Sequence, residues 1–294
     1  MSTDYVSQWK DIMETSLTRQ SFLEILDGKI PYILESQFLH RDVAKKLEDV
    51  LAPQLIPYLH ATGPTLLKVG VAQFEFQALS EADVQNRPDN AKERYFIEVQ
   101  KNKHLHDHIT TISGQNVWQT VVDKLRSLFP EWDVVVADEG PGKEYFSGIF
   151  RSINDSTPIH CDWSPYDSRT EDWVINQVTK QAVFNLYLAP FAGGRTEIHD
   201  VQWTPDALKF RDTESYGYSS AIVEGRETAT IEPKVGDLCL FNTRNMHQVF
   251  PVEKEEDPNM EGLINGKRAR LTLSSFIGLL PQREGEKPRL ILWS

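Results

Sequence analysis

Beyond Trp132 the chain breaks into short apolar or alternating runs, each closed by turn residues, and this spacing limits the fold more than any other feature. The runs cover 134–137, 145–151, 158–162, 182–188, 196–201, 228–231, 237–241, 249–252, 270–277 and 290–293. Strands this short and this closely spaced predict an antiparallel sandwich or barrel. No segment between them has the length and period of a crossover helix, which argues against a doubly wound α/β sheet. Two Gly- and charge-rich loops interrupt the pattern, 211–227 and 253–267, and the second reads as an insertion in a β-hairpin.

Residues 1–130 are helix-rich by contrast. Segments 5–26 and 41–58 carry apolar residues at helical spacing; in the second, Val43, Leu47, Val50, Leu51 and Leu55 share a face. Residues 30–34, with Pro31 near the start, predict an opening edge strand. Residues 65–76 predict a longer strand, 80–94 a loop, and 116–128 a helix stopped by Pro130. The expected class is α+β with a mainly β core over 131–294, N-terminal helices packed on one sheet, and a single domain over 1–294.

Charge narrows the partners. Lys plus Arg number 31 against 43 Asp plus Glu, a formal net charge of −12. A surface of that sign repels phosphate backbones and anionic headgroups, so neither nucleic acid nor membrane is expected. Oligomeric state is not encoded legibly. The two cysteines, Cys161 and Cys239, lie in strand-like sequence and read as reduced, buried thiols. Residues 1–10 lack an apolar signal core, and no apolar run approaches the roughly 20 residues of a membrane span, so a cytoplasmic location is expected.

The chemistry is concentrated in Thr157-Pro-Ile-His-Cys-Asp-Trp163. In a strand, residues i and i+2 face the same way, so His160 and Asp162 would project together. A third ligand is available at His247, which follows the apolar run Leu238–Phe241 in a polar bend. Two imidazoles and a carboxylate on one face of an octahedron leave open positions, the ligand set of non-haem Fe(II) oxygenases. A 2-oxoglutarate co-substrate also needs a cation for its distal carboxylate. Arg270 supplies a planar fork, with Thr272 on the same strand face; Arg268 has the same parity and is the rival.

The order His-x-Asp, distal His, then Arg-x-Thr resembles the Fe(II)/2-oxoglutarate dioxygenases. Tyr145-Phe-Ser-Gly-Ile-Phe-Arg151, Phe184-Asn185, Gly193-Gly194-x-Thr196 and Gly236-Asp-Leu-x-Leu-Phe-Asn-x-Arg-Asn-x-His247 are similar to that superfamily's layout, as is Arg270-x-Thr-Leu-x-Ser-Phe-Ile-Gly278. The likeness runs from about Pro31 to the C-terminus and is strongest from Tyr145 onward. It is closest to the branch acting on free amino acids and related small molecules, which includes lysine halogenases. The resemblance implies a double-stranded β-helix (a jelly-roll, cupin-like fold) and use of Fe(II), 2-oxoglutarate and O₂. The implied reaction is hydroxylation, desaturation or cyclisation of an amino acid or amino-acid-derived metabolite. The halogenases carry Gly or Ala where the carboxylate ligand would stand; here Asp162 stands there, so oxygenation is expected.

Other residues have two readings. Asn185 is either a hydrogen-bond partner of 2-oxoglutarate or a satisfied core amide. Glu144 and Arg151 precede the metal strand and are candidates for a substrate amine or carboxylate, Arg151 equally for a surface salt bridge. Trp163 is either a pocket wall or packing. Trp293 reads by resemblance as an aromatic over the substrate, and by composition as core. His104, His106 and His108 mimic a metal cluster without a third ligand placed nearby, and read as a solvated helix start; His40, His60 and His199 read as structural or surface residues. Two further functions fit a barrel with this triad: a cupin-like dioxygenase or isomerase that does not use 2-oxoglutarate, and a non-catalytic binding module.

Overall fold

The computed structural model describes residues 6–10, 13–59, 66–78, 85–86, 90–212, 215–256 and 263–294. Its elements in chain order begin with α1 (Arg19–Leu26), β1 (Tyr32–Glu35), α2 (Arg41–Leu51), β2 (Ile56–Pro57) and β3 (Leu66–Val69). Three helices follow: α3 (Ala91–Asn102), α4 (Leu105–Ser113) and α5 (Val117–Leu128). The remainder comprises β4 (Asp133–Val136), β5 (Ile149–Ile153), α6 (Ser164–Asp167), β6 (Lys180–Tyr187), β7 (Thr196–Gln202) and β8 (Thr228–Ile231). It ends with β9 (Leu238–Phe241), β10 (Asn245–Val249), β11 (Leu271–Leu279) and β12 (Arg289–Trp293).

Two sheets form. The larger runs β1-β9-β6-β11-β5-β3-β2, with β12 on the C-terminal half of β11 and β4 parallel to β12. The smaller is β10-β7-β8. The segment around His160 joins it through reciprocal bonds between His160 and His247, N···O 2.9 and 2.8 Å. Facing sheets of this kind make the double-stranded β-helix that the motif order implies.

Both faces of the larger sheet are covered, which is why its strands read as nearly continuous apolar runs. Phe184 and Leu186 of β6, Leu238 and Leu240 of β9, and Leu271 and Leu273 of β11 pack with Phe22, Ile25, Leu47, Val121 and Leu125 of the helices. The alternate residues face the smaller sheet. Val183, Tyr187, Cys239 and Phe241 are apolar there and pack with Ile198 and Ile231. Interspersed among them on the same face are the polar Arg151, Asn185 and Thr272, which line a cavity. The period-2 rule thus sends scattered polar residues on otherwise greasy strands to one place.

Several expectations from sequence need correction. Helix α1 starts at Arg19, not residue 5, because Thr18 and Ser21 form a reciprocal capping box. Thr15 upstream accepts from the Leu34 amide instead (3.0 Å), and Ser7 and Gln8 bind Asp200 (both 2.7 Å). Helix α2 ends at Leu51, since Pro53 leaves only a single 3₁₀ turn before β2. The strand expected over 65–76 stops at Val69 because Gly70 takes φ +114°; a Cβ there would come within 2.7 Å of the Phe146 ring. Thr65 itself, His60 and much of the expected 80–94 loop lie outside the described residues, while Ala91–Arg94 opens α3. His247 lies within β10 rather than in a bend. Because β10 and β11 belong to different sheets, loop 253–267 connects sheets and is not a hairpin insertion. Its residues 257–262 are not among those described.

On β3, Lys68 forms an ion pair with Glu75, with side chains 7% and 0% exposed. Glu75 also accepts from the Leu59 amide at 2.7 Å. Removing one partner strands the other charge, so Glu75→Gln is expected to lower unfolding free energy by about 3–5 kcal/mol. Urea denaturation measures it; a loss under about 1 kcal/mol would show that water reaches the pair.

Candidate metal and co-substrate site

His160, Asp162 and His247 converge at the mouth between the sheets, with their ligand atoms all within 4.8 Å of one another. His247 Nε2 is 3.6 Å from Asp162 Oδ2, and the imidazole centroids are 4.2 Å apart. Local backbone explains the convergence. The 157–162 segment is extended against β10, with the Asp162 amide donating to the Thr243 carbonyl at 2.9 Å. The ladder of β10 shifts register between Asn245 and His247, a bulge of the sort that re-aims a side chain.

Each imidazole is held by its own chain. His160 Nδ1 lies 2.8 Å from the Pro158 carbonyl and His247 Nδ1 2.8 Å from that of Asn245. A carbonyl only accepts, so both Nδ1 atoms carry the proton and both Nε2 lone pairs are presented to the centre. Burial, followed by the neighbouring His247, brings His160 down to about 4. Burial pushes the Asp162 carboxyl up, but the neighbouring His247, His160 and Arg151 outweigh it and hold it at about 2. At neutral pH the donor set is therefore a neutral His160 imidazole and an ionised carboxylate beside His247. This chemistry fits a divalent iron with open positions.

A stability consequence follows for the metal-free protein. Because folding lowers the His160 pKa from about 6.5 to about 4, the unfolded chain binds more protons between those values. Stability should therefore decline as pH falls from about 6.5 toward 4. Urea midpoints across that window, with and without His160→Gln, check it: the substitution should flatten the decline, and an unchanged slope would refute the assignment.

A cavity open to solvent lies below the triad and is lined by Arg151, Asn185, Thr196, Arg270, Thr272 and Phe276 among others. Arg270 is 5% exposed and donates to the Gly194 carbonyl, the Tyr187 hydroxyl and the Thr196 hydroxyl, each at 3.1 Å. No carboxylate of the described residues reaches it. Thr272 Oγ1 sits 3.0 Å from Ser274 Oγ, which donates to Asn185 Oδ1 at 2.6 Å. That leaves the Asn185 amide NH₂ and the rotatable Thr272 hydroxyl as the donors this network can turn to a ligand. Arg268 is elsewhere: it makes a two-pronged pair with Glu48 of α2 (2.8 and 2.9 Å), which removes it as the rival for the cavity.

The substrate candidates separate. Arg151 lines the cavity. Glu144 is exposed, bridged to Asp138 in a hairpin, and is not among the lining residues, so it does not meet a ligand there. Trp163 is buried beneath Arg244, whose guanidinium carbon lies 5.0 Å from its ring centre. Trp293 is 1% exposed and packs behind Phe276 at 5.6 Å, so Phe276 rather than Trp293 presents the aromatic face. Sequence reading missed Tyr216, whose ring stands edge-on to His160 at 5.4 Å. Its loop is pinned by the Tyr218 amide to the Ile159 carbonyl (2.8 Å), a long-range contact with no local signal. His106 is a packing residue, stacked on Trp118, and His104 pairs with exposed Asp107.

Among solved structures, an N-substituted L-amino acid dioxygenase from Burkholderia ambifaria, in complex with α-ketoglutarate, superposes with a TM-score of 0.54. At 15% identity over 94% of this chain and 90% of that one, the likeness speaks for the fold alone. Fold and site together, a double-stranded β-helix around a His-Asp-His metal-binding centre, are those of the Fe(II)/2-oxoglutarate oxygenase class. Within that class, residues 12–286 match the model of the carrier-protein-independent halogenase WelO5, and the chain belongs to this family. "Leucinostatins biosynthesis cluster protein S" of Purpureocillium lilacinum is 36% identical over 234 residues, 79% of this chain and 86% of that protein. L-gamma-glutamyl-L-propargylglycine hydroxylase of Streptantibioticus cattleyicolor is 30% identical over 155 residues, 52% of this chain and 50% of that protein. No helix among the described residues is long and apolar enough to cross a membrane.

Proposed function

We propose that this chain hydroxylates an unactivated C–H bond of an amino acid or amino-acid-derived metabolite, as a cytoplasmic enzyme, rather than halogenating it. The observation that carries this reading is Asp162, a carboxylate aimed at the same centre as both Nε2 atoms, 3.6 Å from that of His247. In a family named for a halogenase, that side chain takes the position a halide would need.

His160, Asp162 and His247 would hold the iron on one face. Arg270, buried and lacking a carboxylate partner among the described residues, would receive the distal carboxylate of 2-oxoglutarate through its fork, with Thr272 and the Asn185 amide as neutral donors. Bound there, iron, co-substrate and O₂ supply the oxidising power, with CO₂ and succinate as co-products. The protein's own work is positioning: Pro158 and Asn245 carbonyls orient the imidazoles. An amino-acid-derived substrate is supported by the L-gamma-glutamyl-L-propargylglycine hydroxylase relative.

The test is turnover of protein loaded with Fe(II) and 2-oxoglutarate against amino acids, N-acylated amino acids and γ-glutamyl derivatives, in chloride buffer. Substrate-dependent succinate with a product heavier by one oxygen is expected. A chlorinated product, or no succinate above the substrate-free blank, would sink the proposal.

A further inference from the structure

The described lining of the cavity contains one carboxylate, Asp162, and two guanidiniums, Arg151 and Arg270. Under the reading above, Asp162 serves the metal and Arg270 the co-substrate, which leaves Arg151 without an assignment. On β5 it stands in register with Thr272 of β11 on one side and Lys68 of β3 on the other. Residues in register share a face, so all three project between the sheets. Lys68 is already neutralised by Glu75, whose other oxygen takes the Leu59 amide. Among the described residues Arg151 makes no such ion pair. Its Nε is buried without a hydrogen-bond acceptor, and its guanidinium carbon lies 5.8 Å from the centre of the Phe276 ring on the cavity wall. A buried donor left unfilled is costly, and a guanidinium fork suits a carboxylate.

We infer that Arg151 anchors a carboxylate of the substrate, and that the substrate carries no free ammonium: the site fits an N-acylated amino acid or the C-terminal residue of a small peptide. This rests on the oxygenase reading above. Charge balance supports it. An iron dication and a 2-oxoglutarate dianion cancel, leaving one carboxylate against two guanidiniums, a single positive excess. A monoanion cancels that excess and a zwitterion does not. The lining residues described also include no second carboxylate to receive an ammonium, and Glu75 is occupied by Lys68. The Phe276 ring beside the guanidinium offers an apolar surface to the rest of such a molecule.

The experiment measures binding of N-acetyl-L-leucine, N-acetyl-L-valine and N-acetyl-L-phenylalanine to protein loaded with metal and 2-oxoglutarate. Their methyl esters and the free amino acids are compared, on wild type, Arg151→Gln and Arg151→Lys. At least one acid should bind wild type on the order of 10- to 100-fold more tightly than its ester and the matching free amino acid. Arg151→Gln should erase that preference and Arg151→Lys restore part of it, while 2-oxoglutarate affinity and thermal midpoint stay near wild type. Equal binding of acid and ester, tighter binding of free amino acids, or no binding by any acid would each overturn the inference. So would an Arg151→Gln defect confined to 2-oxoglutarate, which would give Arg151 to the co-substrate. The oxygenase reading fails separately, if wild type binds no 2-oxoglutarate or never couples it to succinate.

Discussion

Asp162→Ala is expected to lower Fe(II) affinity by more than about 100-fold and to abolish substrate-coupled succinate formation. Loss of an outer partner that merely orients a ligand costs about 10- to 100-fold, and Asp162 is placed as a ligand, so its loss should cost more. The effect should not come from unfolding. The side chain is 41% exposed toward the cavity, so truncation opens little core, and the metal-free variant should unfold near wild type. Equilibrium iron binding together with succinate detection checks both parts. Undiminished iron affinity would show that the carboxylate is not a ligand and would remove the basis for preferring hydroxylation. The same variant informs the family question. If it turned over in chloride buffer to give a chlorinated product, Asp162 would be confirmed as the residue that holds the halide position.

Arg270→Met should weaken 2-oxoglutarate binding by roughly 30-fold to several thousand-fold, since truncating one partner of a buried charge pair costs about 2–5 kcal/mol. Its effect on the protein without ligand should run the other way. Arg270 is 5% exposed and meets only neutral acceptors among the described residues, so an apolar side chain of similar length should leave the ligand-free protein as stable or more so. What the variant should lose is the rise in thermal midpoint that 2-oxoglutarate confers on wild type through linkage. Arg268→Gln is the contrast. Its ion pair with Glu48 ties β11's lead-in to α2, so stability should fall while 2-oxoglutarate affinity holds. Reversal of the two outcomes would exchange the roles of the two arginines.

The strand rhythm after Trp132 was readable because a sheet imposes a period of two and turns need Gly, Pro and Asx wherever they occur. Boundaries failed where tertiary contacts chose. Residues 5–18 have helical spacing, yet Ser7 and Gln8 find Asp200 and Thr15 finds Leu34, partners about 190 and 20 residues away. Gly70 turns β3 aside because Phe146 occupies the space a Cβ would need, a clash that no local pattern announces.

The candidate site divides along the same line. The identity and order of His160, Asp162, His247, Arg270 and Thr272 are matters of sequence, since ligand chemistry depends on residue type and the i, i+2 relation on strand geometry alone. Sequence could not separate Arg268 from Arg270, because both have inward parity; in the fold Arg268 pairs with Glu48 while Arg270 lines the cavity. Nor could sequence rank Glu144, Arg151, Trp163 and Trp293 or find Tyr216. Whether a side chain faces a cavity, solvent or core depends on which distant strand lies beside it, and register is decided only when the sheets close.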